Sequence, residues 1–291
     1  VKTELDRFYK LLTGSSTSFE SISKSAFTQA RSKLKPEAFQ ELAQLQLSYF
    51  QEHAPYKKTW EGKRVIAIDG SLLSLTYSEE LATHFGLNKN QYEVRMVGAR
   101  CSLAYDVCNE LVIDASIAER NSCEKELAVG HLRSLNPETD ILVFNRGYPA
   151  LWLMSLLASK GFKFCFRLST AWKDGVELAN SDKDDIDWTS VRNSKRELGK
   201  LKDYNLPRKL SGLRLVTIVL STGEKEILAT NLTDRTLFPI EKLKELYHLR
   251  WGVEEKYKTF KQVSNIEYFT GRTVHAIQQD FYARIFMANM G

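Results

Sequence analysis

The chain has 291 residues, 43% of them hydrophobic, enough to bury a substantial core as one large domain or one domain with an inserted module. A net charge of +5 suits a polyanionic partner without requiring one, since many soluble enzymes are mildly basic. Four cysteines with no CxxC pair and five scattered histidines argue against a zinc site or a disulfide framework, and no apolar run is long enough to span a membrane.

Residues 1–60 read as a helical, polar amino-terminal segment. SISKSAFTQARSKLKPEAFQELAQLQLSYF has apolar residues at helical spacing, and Lys24, Arg31, Lys33 and Lys35 lend it a basic character that fits either a solvated face or a DNA-contacting one. KRVIAIDGSLLSL is a short β-rich run ending at Asp69, followed by small and polar residues. ARCSLAYDVCNELVIDASIA reads as two strands around the turn DVCNE. NSCEKELAVGHLRSL is a helix capped by Asn or Ser. DILVFNRGY is an apolar strand meeting a polar tip, PALWLMSLLASKG a buried helix stopped at Gly161, and FKFCFRLS another strand. From about 170 to 235 the composition turns polar and weakly periodic before the strand pair LRLVTIVLS and KEILATNL, which reads as a β-rich insertion. Helices starting near Pro239 and covering roughly 273–290 close the chain, and its order suits an α/β or α+β core over 61–291. It opens on Val1 and stops inside an apolar helical pattern, which leaves open that either end is a cut end.

The stretch YHLRWGVEEKYKTFK carries the most information. At about 100° per residue, Tyr247, Arg250, Glu254 and Lys261 fall within about 60° of one another, and Lys258 extends the stripe. Leu246, Leu249, Val253 and Phe260 cluster beside them, so the polar stripe is expected at the lip of the packed domain. Ion pairs within the helix, Arg250 to Glu254 and Glu254 to Lys258, are the alternative reading.

The spacing Tyr-x2-Arg-x3-Glu-x6-Lys resembles the YREK signature of DDE transposases of the insertion-sequence-four type, relatives of the transposon-five transposase. IAIDGS resembles that family's first-Asp strand, NRGY its second-Asp box, and SISKSAFTQARSKL its amino-terminal segment. The resemblance implies a ribonuclease-H-like mixed-sheet core flanked by helices, acting in the bacterial cytoplasm at the nucleoid. It implies cleavage and strand transfer at transposon ends, with double-stranded DNA (transposon ends and target) as partner, a homodimer on DNA and no membrane. Carried over by position, Asp69, Asn145 and Glu254 are the catalytic, metal-binding set for two Mg2+ or Mn2+ ions, and Tyr247, Arg250 and Lys261 engage DNA. Lys258 joins them as part of the same stripe, and Arg146, next to Asn145, reads either as a further DNA contact or as a surface residue. Hard cations prefer carboxylate oxygens, and two of them can serve the attacking and leaving oxygens of an in-line displacement.

Asn145 departs from the pattern, since the family has Asp there. An amide ligates a cation without contributing charge, so metal binding and turnover are expected to fall sharply. The replacement reads either as an introduced change or as decay of a dormant element copy. Asp140, about 16 Å away along an extended strand, is a poor substitute, and Asp114 belongs to another strand. Two rival readings follow: a catalytically inactive DNA-binding derivative, such as an inhibitor or domesticated protein, and a ribonuclease-H-like nuclease without strand transfer. Trp172 and Trp188 are expected in the core, with capture of a flipped base as the alternative role. Trp251 is expected in the core, with packing at the edge of the site as the alternative, and SDKDDID is expected to be a solvated loop.

Overall fold

The computed structural model describes residues 10, 23–89, 95–191, 194–220, 222–250, 269 and 271–290. Its strands are β1 (Arg64–Leu75), β2 (Leu87–Lys89), β3 (Arg95–Asp106), β4 (Leu111–Glu119), β5 (Asp140–Phe144), β6 (Lys163–Arg167), β7 (Asp185–Val191), β8 (Lys209–Val219) and β9 (Lys225–Thr230). The helices are α1 (Lys24–Ser32), α2 (Glu37–His53), α3 (Glu79–Phe85), α4 (Glu124–His131), α5 (Leu151–Ser159), α6 (Lys173–Ala179), α7 (Lys195–Asp203), α8 over 240–250, and α9 (Val274–Ala288).

All nine strands join one sheet in the order β2-β3-β1-β5-β6-β9-β8-β7, with β4 also on β3. β1, β3 and β4 pair antiparallel, whereas β5 and β6 run parallel to β1. Three antiparallel strands followed by two parallel ones, with helices on both faces, make this a ribonuclease-H-like α/β core. Local chemistry explains each piece. After the buried Asp140, ILVF is a continuous apolar run with every residue buried, as a parallel strand covered on both faces requires. The β3–β4 turn closes because Asp106 Oδ1 accepts the N–H groups of Cys108 and Asn109 at 3.0 and 3.1 Å. Helix α5 stops where Gly161 takes a φ of +81°, open to glycine at little strain. Helix α4 departs from its expected cap: its N-cap is Cys123, which makes no side-chain capping bond.

The sheet carries apolar packing on both faces. Ile66, Ile68, Leu142, Phe144, Phe164 and Phe166 meet α2, α4 and α5 on one side. Val65, Ala67, Ile141, Val143 and Cys165 meet Leu243, Leu246 and Tyr247 of α8 on the other. A further cluster joins Leu73, Val97, Ala99 and Leu103 to α3 and α9 through Leu81, Phe85, Ile277 and Phe281. The 170–235 segment contains α6 and α7 besides its three strands, and those strands extend the same sheet, β9 pairing with β6. Near the amino end, Arg31 is engaged by α9, donating to Gln279 Oε1 and Asp280 Oδ1. No helix among the described residues is long and apolar enough to cross a membrane.

Candidate active site

Strand alternation assigns the faces. Val65 and Ala67 point toward α8, so Asp69 takes the same side; the same parity carries Ile141 and Val143 to Asn145, and Cys165 to Arg167. The parallel register of β1 with β5 ends at Ile68↔Phe144, which makes Asp69 and Asn145 neighbours where pairing stops. Asn145 Nδ2 donates to Asp69 Oδ1 at 2.8 Å, and Gly70 N–H donates to the same oxygen at 2.9 Å. Asn145 Oδ1 accepts from Gly147 N–H at 2.7 Å, so donor and acceptor partners together fix the orientation of the amide. Asp69 was expected at a strand end. It lies within β1, because β3 continues to pair with that strand as far as Leu75↔Val97. The fork is therefore made by β5 stopping short, and Arg146 is exposed just beyond it.

Helix α8 changes the expected phase of the polar stripe. Leu243, Leu246, Tyr247 and Arg250 are its buried residues, with Tyr247 1% and Arg250 5% exposed, while Leu249 is only partly covered. The sheet-facing line thus runs through Tyr247 and Arg250 instead of passing beside them. The Arg250 guanidinium lies 5.0 Å over the Tyr247 ring, a cation–π contact. Beside them, the guanidinium of Arg167 at the end of β6 pairs with the buried Glu226 carboxylate of β9 at 2.8 Å. Burial holds the Tyr247 phenol well above its usual range, Arg250 opposing and Glu226 adding to the shift. Burial likewise pushes the Cys165 thiol up to about 12 against the pull of Arg250. Glu254, Lys258, Lys261 and Trp251 lie outside the described residues.

Two residues that the sequence reading did not single out stand beside Asp69. Glu124, at the start of α4, lies over Gly70: a Cβ on that glycine would meet Glu124 Cγ at 3.1 Å and Cδ at 3.2 Å. Its carboxylate pairs with Arg100 of β3. Tyr148, of the NRGY box, is fully buried, and its hydroxyl has no hydrogen-bond partner among the described residues. Burial first, then the charges of Asp69 and Glu124, hold that phenol far above its ordinary value. A lone Glu in a capped helix has no spacing signature, so only the close approach to Gly70 reveals it. No group of three or more His, Cys, Asp or Glu able to hold a metal ion occurs among the described residues.

Other candidates lie elsewhere. Among the described residues Asp114 bonds to no part of this site; its Oδ2 bonds His131 Nδ1 at 2.9 Å, and His131 Nε2 meets Ser102 Oγ at 2.9 Å. Trp172 and Trp188 are buried in the core, stacked edge to face, with Trp188 Nε1 donating to Asp174 at 2.7 Å. SDKDDID is not wholly a solvated loop: Asp185 and Asp187 begin β7, and Asp185 pairs with the buried Arg214.

Residues 60–290 match the family model described as the transposase DDE domain, from just ahead of β1 through α9. The chain belongs to this family. The transposase DDE domain therefore spans Asp69, Asn145 and α8 alike. Among solved structures, the cryo-EM structure of a piggyBac transposase synaptic complex with hairpin DNA is similar to this DDE domain at a TM-score of 0.44 and 11% identity. The similarity covers 78% of this chain and 47% of that one, so the chain spans about half of its length. No curated protein matches the chain.

Proposed function

We propose that this DDE domain is the catalytic domain of a cut-and-paste DNA transposase of the insertion-sequence-four type, silenced by the amide at position 145. The observation that carries the proposal is the Asn145–Asp69 hydrogen bond at the fork between β1 and β5, where the register sets two side chains in contact. The finer type rests on Tyr247, Arg250, Glu254 and Lys261 at YREK spacing. The domain boundaries proposed are a helical amino-terminal segment over 1–60 and a core over 61–291, with the 170–235 segment inserted in it.

Asp69, Asn145 and Glu254 are proposed as the positions that would hold Mg2+ or Mn2+, and the carboxylates among them are the hard oxygen donors such ions take. Bound there, a divalent cation would polarise the phosphodiester and activate the attacking oxygen. Asp69 presents a carboxylate already oriented by two N–H donors. Asn145 supplies one of those donors and no charge, and its own oxygen is turned to Gly147. An Asp at 145 would face Asp69 carboxylate to carboxylate, an arrangement that attracts a dication; the amide instead satisfies Asp69 with a neutral N–H. Arg250, buried over the neutral Tyr247 ring, would give the site a positively charged floor, while Arg146, Lys258 and Lys261 are proposed to engage phosphate directly. The proposed partners are double-stranded DNA at transposon ends and target, and a second copy of the chain on that DNA.

The test compares the chain with Asn145→Asp on labelled transposon-end DNA with Mg2+ or Mn2+. The Asp form is expected to cleave and join strands while the Asn form binds without cutting. Robust nicking by the Asn form would overturn the silencing. If neither form cuts, the second reading, a DNA-binding derivative without chemistry, takes its place, and Asn145 is the residue that favours it.

A further inference from the structure

We propose that Glu124 is an additional carboxylate of the divalent-cation site, facing Asp69 from the opposite side of the sheet through the gap left where β5 ends. The inference rests on the reading of Asp69 as a cation ligand.

The gap follows from strand lengths. β5 stops at Phe144 while β1 runs on to Leu75, and along Gly70–Ser74 the described ladder of β1 is to β3 alone. Side chains from both faces can therefore approach one point. From the α8 side comes Asp69, whose Oδ1 is held by Gly70 N–H at 2.9 Å. From the α4 side comes Glu124, whose Cδ lies 3.2 Å from where a Cβ on that same glycine would stand. A side chain at position 70 would press on the Glu124 carboxyl, which would have to shift by a few tenths of an ångström.

A second observation points to a ligand at this place. Tyr148 brings a hydroxyl that is fully buried and has no hydrogen-bond partner among the described residues. Leaving such a group unsatisfied costs about 1–3 kcal/mol, and native structures keep one where water or an ion completes it. The Tyr148 ring lies against Phe144, the last residue of β5, with centroids 5.4 Å apart, and Asp69 and Glu124 are the carboxylates close enough to act on its hydroxyl. Magnesium retains several of its waters when bound, so a hydrated dication held by the two acids would bring a water whose O–H the Tyr148 hydroxyl oxygen can accept. Arg100 pairs with Glu124 and balances its charge; binding of a dication would compete with that guanidinium. Glu124 thereby returns one of the charges that Asn145 withholds.

The test is Mn2+ binding followed by electron paramagnetic resonance, in the chain as it stands and in Asn145→Asp, each with Glu124→Gln and Arg100→Gln. Glu124→Gln is expected to weaken Mn2+ binding about tenfold or more. Arg100→Gln is expected to strengthen it, because the carboxylate loses its competing cation. Unchanged Mn2+ affinity in both variants, with only a lower melting temperature, would mean the pair is structural and would overturn the inference. Arg100→Gln keeps Glu124 in place and decides the matter even where Glu124→Gln fails to fold. If Asn145→Asp binds Mn2+ and the Glu124 and Arg100 changes leave it unaltered, the Glu124 inference alone falls. If Asn145→Asp binds no Mn2+, the reading of Asp69 falls with it.

Discussion

Strands β1 and β5 carry a polar pair at each end, and the two ends are built to different ends. At the start of β1, Arg64 grips Asp140 with two hydrogen bonds of 2.7 Å, and the same carboxylate accepts Asn136 N–H at 2.8 Å and Thr139 Oγ1 at 3.0 Å. Asp140 is wholly buried and its charge is met by a guanidinium. At the other end, both hydrogen bonds shown for Asp69 come from neutral amides, those of Asn145 and Gly70. A carboxylate saturated by a guanidinium holds a fold together; one that accepts N–H groups from a backbone amide and a side-chain amide is oriented by them, as a ligand position requires.

This contrast can be broken in order of effect. Arg64→Met leaves Asp140 a buried charge without its counter-ion and is expected to destabilise the domain by about 3–5 kcal/mol, measured by urea unfolding. A loss below about 1 kcal/mol would show that the two ends are alike. At the other end, Asn145→Asp removes a donor and sets two carboxylates together. Without divalent cation it is expected to lower stability by about 1–3 kcal/mol, and with Mn2+ to regain it, read as a melting-temperature shift larger than that of the Asn form. A smaller effect is expected at Asp185, where burial alone would raise the carboxyl but hydrogen bonds from Arg214 and Arg235 hold it below its ordinary value. A depressed folded value means that this stabilisation is present above about pH 4 and lost as pH falls through the folded value. Asp185→Asn should therefore flatten the acid limb of the stability curve, and an unchanged limb would remove Asp185 from that role.

Much of this architecture is legible in the sequence where burial is uniform. The apolar run ILVF could only be a covered strand, and DVCNE could be read as a turn because Asp106 supplies the bonds its own backbone needs. Readings that depend on distant partners went astray. Gly70 and Ser71 have weak strand preference, yet β3 holds them in the ladder. Arg250 was phased outward because charge ordinarily faces water, whereas here the Tyr247 ring and the polar end of the sheet receive it. The polar 170–209 stretch hid α6 and α7, whose buried side is narrow: Gly175 and Leu178 in one, Leu201 in the other. At the site, Asp69 and Asn145 were marked by motif, but Glu124 was silent, since its meaning lies in a contact with Gly70 that no local pattern encodes.

The seam between β6 and β9 bears on how this molecule can be re-engineered. Cys165, Phe166 and Arg167 are laddered to Thr230, Ala229 and Leu228, and just past the ladder Asn231 exchanges hydrogen bonds with Phe162 and Phe164. A segment joined in this way is no detachable cassette. Excising 170–235 would strip β6 to a bare edge of unmet N–H and C=O groups, a template for aggregation, and the shortened protein should aggregate more readily than the whole chain. Grafts belong instead at the tip between β8 and β9, where Gly223 already turns the chain and a longer loop would leave the ladder whole.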